Sequence, residues 1–512
     1  MIWTSPLKPI AADDSTVSQE LERAVAARPE HRALIDGPSG AGVSFLELLR
    51  RIEKIAAWFR NAGLGPGECL TVWAPNVPPV AATSLAALRL GAAVTGVSPS
   101  ATQHEVARQI AMARSSMLVT VPSLAEQALA VAKRVVVIGE APGAVPLCEL
   151  LACTDRAPAS VTDPDAIALL PFSSGTSGLP KGVVLTHRQV VAVCRQIAAA
   201  AGIGGHDVTL AVAPWFHIMG ITAELLVPLI RGATVITAPR FDPGSFLEDL
   251  RRYEISYIVV PPPVAAVLAR HPDLAAGGLG HLELVGVGGA PLPIAVQLAL
   301  ADRLPGCAVG QGWGLTEMSG AICVPGRPGG TAPGTVGGLL PSTELRVVEP
   351  DSGRELGVGD HGELQARGPQ LMQGYLGDPA ATTAMITKDG WLHTGDLGRV
   401  DAAGNVVVVD RLKDLIKVNA LPVAPAEVEA VLAEHPDVLD AAVVGQPDET
   451  TGEVPIAYVV GGARLAVAEV SAWAAERLAP YKRPRAIHLV DRLPRTPSGK
   501  LLRRELRTAP PR

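Results

Sequence analysis

The stretch from residue 173 to residue 182 reads Ser-Ser-Gly-Thr-Ser-Gly-Leu-Pro-Lys-Gly and combines the groups that hold phosphate. Glycine lets backbone N–H groups turn toward an anion, hydroxyls donate to its oxygens, and an ammonium neutralises its charge. Because apolar runs precede and follow the stretch, we predict a polyphosphate-binding loop between buried strands. A flexible Ser/Gly surface loop is the alternative. The predicted ligands are Ser173, Ser174, Gly175, Thr176, Ser177, Gly178 and Lys181.

A second stretch, residues 310–317, suits a flat ring next to a phosphate group. Glycines at alternating positions allow a ring to approach the backbone, and Trp313 could stack on it. Thr316 and Glu317 add a hydroxyl and a carboxylate, and Mg²⁺ prefers oxygen ligands of this kind. A series of tight turns with Trp313 in the core is the alternative interpretation.

Three polar residues further along the chain are candidates for the same site. Asp396, in Trp-Leu-His-Thr-Gly-Asp, could accept two hydrogen bonds from vicinal hydroxyls, although Asp after Gly is often a turn residue. Arg411 could bind the same sugar or a phosphate, or it could form a surface ion pair. Lys500, in Pro-Ser-Gly-Lys, is either an ordinary surface lysine or one that swings in to neutralise developing negative charge.

The bulk composition limits the class of protein. A chain of 512 residues with 48% hydrophobic and 18% charged residues is not a disordered chain and should form at least two domains. The net charge is −6 and no basic stripe is present, so we expect no nucleic-acid partner. We also expect no membrane span and no signal peptide. Six scattered cysteines without a C-x-x-C pair argue against structural zinc and favour a reducing cytoplasm.

The elements that must position these residues alternate along the chain. Residues 187–201 and 223–231 have helical patterns, and the short apolar runs 208–213 and 234–237 have the pattern of buried strands. Helices alternating with short apolar strands predict an α/β fold with mostly parallel sheets.

The amino-acid composition changes at two points in the last third of the sequence. Beyond residue 330, Gly, Pro and Thr become frequent between short strands, and a charged segment at residues 410–414 precedes about a hundred further residues. We therefore predict an N-terminal domain over 1–410, with a β-rich subdomain at about 330–410. A small α+β C-terminal domain should span 411–512, with a hinge near Lys413.

In this order and at this spacing, the four polar stretches resemble the AMP-forming acyl-CoA synthetase (adenylate-forming) superfamily. The branch that is most similar is 4-coumarate–CoA ligase. The stretches that carry this resemblance are Phe216-His217-Ile218, Gly374-Tyr375-Leu376, residues 410–417 and residues 423–427. The resemblance implies a large N-terminal domain of two α/β sheet layers plus a β-barrel subdomain, with a small mobile C-terminal domain. It also implies ATP, Mg²⁺ and CoA: acid and ATP form acyl-AMP and pyrophosphate, and CoA then displaces AMP.

The resemblance assigns the nucleotide to the matching residues. Residues 173–182 would hold the β- and γ-phosphates, with Lys181 among them. Thr316 and Glu317 would meet the α-phosphate and Mg²⁺, and Asp396 and Arg411 would bind ribose. The residues that would flank adenine are Gln311, Gly312 and Trp313.

The resemblance also assigns the acid and the two mobile lysines. Lys500 would bridge the carboxylate and the α-phosphate, and Lys417 would act in the active site before or after rotation of the C-terminal domain. His217 would gate the passage between acyl group and nucleotide. The pocket walls would be His217, Met219, Gly288, Gly289, Gly312, Gly314 and Leu315.

Residues 419–422 depart from the family pattern, because Asn-Ala-Leu-Pro stands where Lys-Gly-Phe-Gln or a similar run is usual. Ala420 replaces a glycine and Pro422 a glutamine, which concerns the second half-reaction. We expect an acid–CoA ligase for a 4-coumarate- or cinnamate-like acid. The alternatives are a medium-chain fatty acid as substrate, loading of a carrier protein instead of CoA, and a nucleotide-binding protein without catalysis.

Overall fold

The computed structural model describes residues 1–11, 14–173, 180–275, 277–327, 329–419, 421–448, 450–462, 465–496 and 501–508. Helices and strands alternate over most of this chain, and the predicted α/β fold class is confirmed. No helix in these ranges is both long enough and apolar enough to cross a membrane.

The first sheet is parallel over most of its width, in the order β10-β11-β9-β5-β4-β6-β7-β8, with β11 antiparallel to both neighbours. Buried apolar residues fill its strands, and β4 is buried along its whole length. The strands to this point are β1 (Ile2–Thr4), β2 (Arg32–Asp36), β3 (Gly42–Ser44), β4 (Cys69–Trp73), β5 (Ala93–Gly96), β6 (Met117–Thr120), β7 (Val135–Val137), β8 (Val145–Pro146), β9 (Ile167–Leu169), β10 (Phe172–Ser173) and β11 (Lys181–Thr186).

Helices cover this sheet and begin where the sequence offers capping residues. Ser44 accepts a hydrogen bond from the Glu47 N–H, and the Glu47 carboxylate accepts one from the Ser44 N–H, which is a capping box. The helices of this part are α1 (Val17–Ala27), α2 (Phe45–Asn61), α3 (Pro78–Arg89), α4 (Gln103–Ala113), α5 (Ala125–Val131), α6 (Leu147–Leu151) and α7 (His187–Ala201).

The second sheet runs in the order β16-β15-β14-β12-β13-β2-β3 and is parallel except at β3. The carboxyl ends of β14, β15 and β16 therefore lie at one edge, which is where ligands bind in open α/β sheets. The new elements are β12 (Val208–Ala211), α8 (Val227–Ile230), β13 (Thr234–Thr237), α9 (Pro243–Arg252), β14 (Tyr257–Val260), α10 (Pro262–Arg270), β15 (Leu284–Val287), α11 (Ile294–Arg303) and β16 (Ala308–Gln311).

The helix predicted at 223–231 has a different form. A π-helix occupies Gly220–Leu226, and only Val227–Ile230 is α-helical. Pro228 has no N–H, so one α-helical hydrogen bond cannot form there. At Gly220 an added Cβ would lie 2.3 Å from the Pro214 carbonyl oxygen, so the chain crosses closely at the start of the π-helix.

The β-rich part is an antiparallel sheet in the order β1-β19-β20-β22-β23. A short strand, β21, pairs instead with β11 and so joins this part to the first sheet. The elements are β17 (Cys323–Val324), β18 (Gly338–Leu339), β19 (Glu344–Val348), β20 (Gly362–Arg367), β21 (Gly374–Tyr375), α12 (Pro379–Met385), β22 (Leu392–Val400) and β23 (Val406–Arg411).

The last part of the chain has its own sheet, in the order β25-β24-β27-β26 with β28 beside β27, and its own buried clusters. Asn419 has φ +50° in the connection from β24 to β25, a conformation that Asn tolerates. Ala420, which replaces a glycine of the family pattern, lies outside the described residues, so its predicted effect on the second half-reaction stays a prediction. The elements are β24 (Ile416–Val418), β25 (Leu421–Val423), α13 (Pro425–Ala433), β26 (Val438–Asp448), β27 (Gly452–Gly461), α14 (Val467–Arg477), β28 (Ala486–Leu489) and α15 (Arg503–Thr508).

Short 3₁₀ turns complete the described elements, and two of them lie beside the site. They span Pro122–Leu124, Pro272–Ala275, Thr316–Met318, Leu412–Asp414 and Pro480–Lys482.

Candidate active site

A cavity of about 510 Å³ opens at the carboxyl edge of the second sheet. Its polar end is lined by Ser173, Lys181, Glu317, Tyr375 and Arg411, and residues Glu363 and His393 also lie on this side. Its apolar end is lined by Ile203, Ala223, Tyr257, Leu284 and Gly286. One cavity thus offers hydrogen-bonding and charged groups at one end and a hydrophobic space at the other.

Strand pairing fixes both ends of the predicted phosphate loop. Ser173 in β10 stands opposite Lys181 in β11, and both residues line the polar end. The Lys181 ammonium lies 5.0 Å from the ring centroid of Tyr375, within cation–π range. The predicted ligands between them, Ser174, Gly175, Thr176, Ser177 and Gly178, lie outside the described residues.

Glu317 is held by two donors on one oxygen. Its Oε1 accepts a hydrogen bond from the Ser173 hydroxyl at 3.2 Å and from the Tyr375 hydroxyl at 2.8 Å. Burial, together with the Glu317 charge, raises the pKa of Tyr375, so this hydroxyl stays protonated and donates. A positioned carboxylate beside hydroxyls has the hard oxygen character that a divalent cation requires. Thr316, which precedes Glu317, also lines the cavity.

Asp396, Arg411 and Trp313, which come from separate motifs, form one cluster. Asp396 in β22 stands opposite Arg411 in β23, and the Arg411 Nε lies 2.6 Å from Asp396 Oδ1. The Trp313 indole N–H donates to Asp396 Oδ2 at 2.8 Å. Trp313 also packs in a buried cluster with Met318 and Ile322 while lining the cavity, so it is both a core residue and a wall.

Gln311, which was predicted to flank adenine, has its side chain turned elsewhere. Its Oε1 accepts a hydrogen bond from the Leu292 N–H at 2.7 Å, and the residue does not line the cavity. The neighbouring Gly312 does line it.

Residues at the end of β23 and just after it connect the cavity to the last part of the chain. Leu412 and Lys413 line the polar end, whereas the preceding Asp410 accepts hydrogen bonds from the N–H groups of Arg411 at 2.7 Å and Ala426 at 2.8 Å. Burial raises the pKa of Asp410 to about 6. Because Ala426 lies in the first turn of α13, Asp410 connects the polar end to the last part of the chain.

The two predicted mobile lysines are not among the cavity residues described. Lys417 is exposed on β24, and its N–H donates to Glu453 Oε2 at 2.7 Å. Lys500 lies outside the described residues.

The predicted acyl-pocket residues come together. His217 Nδ1 accepts a hydrogen bond from the Met219 N–H at 3.3 Å, which turns the ring back over its own loop. That loop is held by Asn76, whose amide donates to Ala213 O at 2.9 Å and whose Oδ1 accepts from the Trp215 N–H at 2.9 Å. The cavity is lined by all of the predicted wall residues, His217, Met219, Gly288, Gly289, Gly312, Gly314 and Leu315.

Sequence reasoning missed part of the polar end. No role was predicted for Tyr375 beyond its place in a stretch that is similar to the family, although its hydroxyl donates to Glu317. Glu363 and His393 form a pair with 2.9 Å between Oε2 and Nδ1, and the Gly395 N–H donates to Glu363 Oε1 at 3.2 Å. His393 stands in the same motif as Asp396, Trp-Leu-His-Thr-Gly-Asp, so its place in the sequence could have indicated that it lies near the site.

Comparison with known proteins identifies the family. Residues 21–376 match the model of the AMP-binding enzyme family, and residues 427–500 match the AMP-binding enzyme C-terminal domain. The chain belongs to this family of AMP-binding enzymes. It is 37% identical to 4-coumarate–CoA ligase 3 of Oryza sativa subsp. japonica, over 99% of this chain and 94% of the rice protein.

Solved structures agree in fold along nearly the whole chain. ATP-bound MatB from Rhodopseudomonas palustris matches with a TM-score of 0.89 at 29% identity, covering 96% of this chain and 98% of MatB. The o-succinylbenzoate CoA synthetase MenE of Bacillus subtilis, in complex with its acyl-adenylate intermediate OSB-AMP, has a TM-score of 0.84 at 29% identity, covering 96% of this chain and 98% of MenE. The predicted resemblance to adenylate-forming enzymes is confirmed, with ligation of an acid as the supported activity and ATP and CoA as consistent co-substrates.

Proposed function

We propose that this protein is an ATP-dependent acid–CoA ligase for a 4-coumarate- or cinnamate-like aromatic acid. The carboxylate attacks the α-phosphorus of ATP, the bond to the β-phosphate oxygen breaks, and acyl-AMP and pyrophosphate form. The CoA thiol then attacks the acyl carbon and AMP leaves. The attacking carboxylate is already ionised, so catalysis consists mainly of alignment and charge stabilisation.

The polar end supplies the proposed nucleotide site. Lys181 and the loop that follows Ser173 hold the β- and γ-phosphates, and the Asp396–Arg411 pair faces the ribose. The Glu317 carboxylate, fixed by Ser173 and Tyr375, would hold Mg²⁺ against the phosphates. When bound, Mg²⁺ neutralises phosphate charge. Thr316 would meet the α-phosphate, and Gly312, Trp313 and the backbone of Gln311 would flank adenine.

The observation that carries the proposal is that both ends belong to one cavity. An acid whose tail occupies the apolar end presents its carboxylate past Met219 toward Glu317 and the phosphate loop. The rice relative's name as a 4-coumarate–CoA ligase supports an aromatic acid. Gly286 and Gly288 bring no side chain into the cavity along β15, which also supports a flat ring.

The proposed domain division is an N-terminal domain over 1–410, with its β-rich subdomain from about 330, and a mobile domain over 411–512. Rotation about Lys413 would exchange Lys500, which acts on the α-phosphate, for the β24 face that carries Lys417. The separate sheet and buried clusters after residue 415 support this division. The cytoplasm is the proposed compartment, supported by six cysteines that are all free thiols.

Two alternatives concern the substrates. A medium-chain fatty acid could occupy the same apolar end, and the altered residues 419–422 leave a carrier protein as an alternative thiol donor.

Pyrophosphate exchange without CoA tests the first half-reaction. Exchange that depends on an acid from a panel of cinnamates, benzoates and fatty acids supports the proposal and ranks the substrates. Exchange with none of them contradicts it and favours a nucleotide-binding protein without catalysis. Thioester formation with free CoA, compared with a phosphopantetheinylated carrier protein, then identifies the acceptor.

A further inference from the structure

Strand β15 forms one wall of the apolar end with a glycine-lined face. Alternate residues of a strand share a face, so Leu284, Gly286 and Gly288, just past the end of β15, point the same way, and all three line the cavity. Val285, on the other face, packs in a separate buried cluster. Val287 packs in the same cluster and also lines the cavity beside Gly288. The absence of side chains at two of the three positions on the first face makes a trough along the strand.

The trough has a neck and a defined length. A Cβ added to Gly288 would lie 3.0 Å from the Met219 Sδ, so the Met219 side chain lies close to the strand there and narrows the entrance to the trough. A Cβ on Gly286 would meet Val259 and Pro325 at 3.7 Å, an ordinary contact distance, so the trough has room for a methyl group below the neck. From Gly288 to Leu284 the strand rises about 13 Å, at roughly 3.3 Å per residue.

Tyr257 closes the far end of the trough. It pairs in register with Leu284 on the neighbouring parallel strand, and the two side chains are 0% and 2% exposed. The Tyr257 hydroxyl donates to the Ala223 carbonyl at 3.3 Å, which ties the ring to the π-helix.

A polar network behind Tyr257 holds the ring in place. The Arg327 guanidinium lies 5.9 Å from the ring centroid and 3.0 Å from Asp207 Oδ1. Asp207 is fully buried and also accepts a hydrogen bond from the Ser256 hydroxyl at 2.6 Å. Retreat of the ring would disrupt this buried ion pair, so Tyr257 is a rigid floor.

We propose that Tyr257 sets the maximum tail length of the acid and that Met219 over Gly288 is the neck through which the tail enters. The inference rests on the proposed function and narrows its substrate class to monocarboxylic acids with a slender, uncharged tail. A second carboxylate on the tail is excluded, because the charged residues among the described cavity walls lie at the polar end, away from the trough. An ionised group in the trough would be desolvated without a partner.

Two substitutions change the trough in opposite directions. Tyr257→Ala removes the floor, and pyrophosphate exchange should then extend to longer unbranched acids than the wild type accepts. Each additional methylene that the new space buries should raise kcat/KM about fourfold. Gly286→Ala adds a methyl group inside the trough without a clash, so exchange with the longest acids should fall while exchange with the shortest acids persists.

Matched variants separate tail length from loosening of the fold. Tyr257→Phe keeps the ring and should keep the wild-type length limit. Val285→Ala deletes buried volume on the opposite face of the same strand and should also leave the length limit where it is.

The inference is overturned if Tyr257→Ala, folded by thermal melting, keeps the wild-type length limit, or if Gly286→Ala leaves the longest acids unaffected. It is also overturned if a dicarboxylate exchanges as well as a monocarboxylate of equal length. If Tyr257→Ala does not fold, Gly286→Ala decides the question. Calorimetric binding of the same acids without ATP applies the length test even where no exchange occurs, so failure of the proposed function is distinguished from failure of the length rule.

Discussion

The two ends of the cavity are built in different ways. The polar end is defined by charged groups and hydrogen-bond donors. Glu317, Asp396 and Arg411 are held there by hydrogen bonds and an ion pair between residues far apart in sequence. The apolar end is defined instead by its shape: Gly286 and Gly288 have no side chains to fill it, and the buried Tyr257 ring closes its far end. The comparison teaches that the proposed chemistry of the site depends on residue types, whereas its proposed selectivity for the acid depends on strand register.

The strongest test of this division is Glu317→Gln. Loss of the charge proposed to hold Mg²⁺ against the phosphates should lower acid-dependent pyrophosphate exchange by about 10²–10³-fold, the usual cost of removing one electrostatic stabiliser. The KM for the acid should change little, because the trough is untouched. Exchange kinetics measure both values. The exposed Glu248→Gln is the control, and a large rise in the KM for the acid would contradict the separation of the two ends.

Asp396→Asn should act on the nucleotide alone. It removes the ion pair with Arg411 and leaves one acceptor for the Trp313 N–H. Hydrogen bonds to charged groups contribute about 1.5–3 kcal/mol, so the KM for ATP should rise roughly ten- to a hundredfold. Steady-state kinetics with ATP and acid varied separately test this. The control is Asp389→Asn, which changes an exposed carboxylate. An unchanged KM for ATP in Asp396→Asn would show that Asp396 does not belong to the nucleotide site.

Asp410, which connects the polar end to the last part of the chain, gives a pH dependence of the free energy of unfolding. Its folded pKa of about 6 lies above the unfolded value near 3.9, so between these values the folded protein binds more protons than the unfolded chain. This carboxyl therefore lowers the free energy of unfolding as pH rises from about 4 to 6, by on the order of 2 kcal/mol.

Asp410→Asn should flatten that part of the stability profile. Denaturant titrations at pH 4, 5, 6 and 7 measure the slope, with the exposed Asp351→Asn as control. A variant whose slope equals that of the wild type would show that Asp410 does not titrate in this range.

Gly288→Ala tests the neck with a smaller expected effect. The new methyl group meets the Met219 thioether at 3.0 Å, and Met yields because its side chain is flexible. We expect the KM for a ring-bearing acid to rise about tenfold, the lower range for one methylene in a pocket, with the KM for ATP unchanged. Gly65→Ala, where an added Cβ meets no atom within 4 Å, is the matched control. A rise in the KM for ATP instead would place Gly288 beside the nucleotide.

The sequence predicted residues at both ends of the cavity but not the contacts that hold them in place. Four residues, Lys181, Glu317, Asp396 and Arg411, stand in motifs whose residue types indicate phosphate and sugar binding. The fold brings Lys181, Glu317 and Arg411 to one cavity, and Asp396 pairs with Arg411 behind its wall. The pairing of Glu317 with Tyr375 was not predictable, because it depends on the contact between β11 and β21.

The apolar end shows why the remainder was out of reach. The strand containing Tyr257 was readable from its apolar pattern, but its role as a floor depends on its register with Leu284 and on Arg327 behind it. The helix predicted at 223–231 overlaps the π-helix Gly220–Leu226, and its hydrophobic pattern does not distinguish a π-helix from an α-helix. Long-range contacts, not local propensity, decide both features.

The attachment of Asp410 to the first turn of α13 has a consequence for exchanging parts between relatives. The contacts of Ser173, Glu317 and Tyr375 lie wholly before residue 411, so a foreign carboxyl-terminal portion could be grafted after Arg411 without touching them. Such a graft must still offer a free backbone N–H where Ala426 now donates, since the buried acid would otherwise lose a partner. Compatibility of swapped halves therefore depends on one amide in a helix start more than on the sequence of the joint itself.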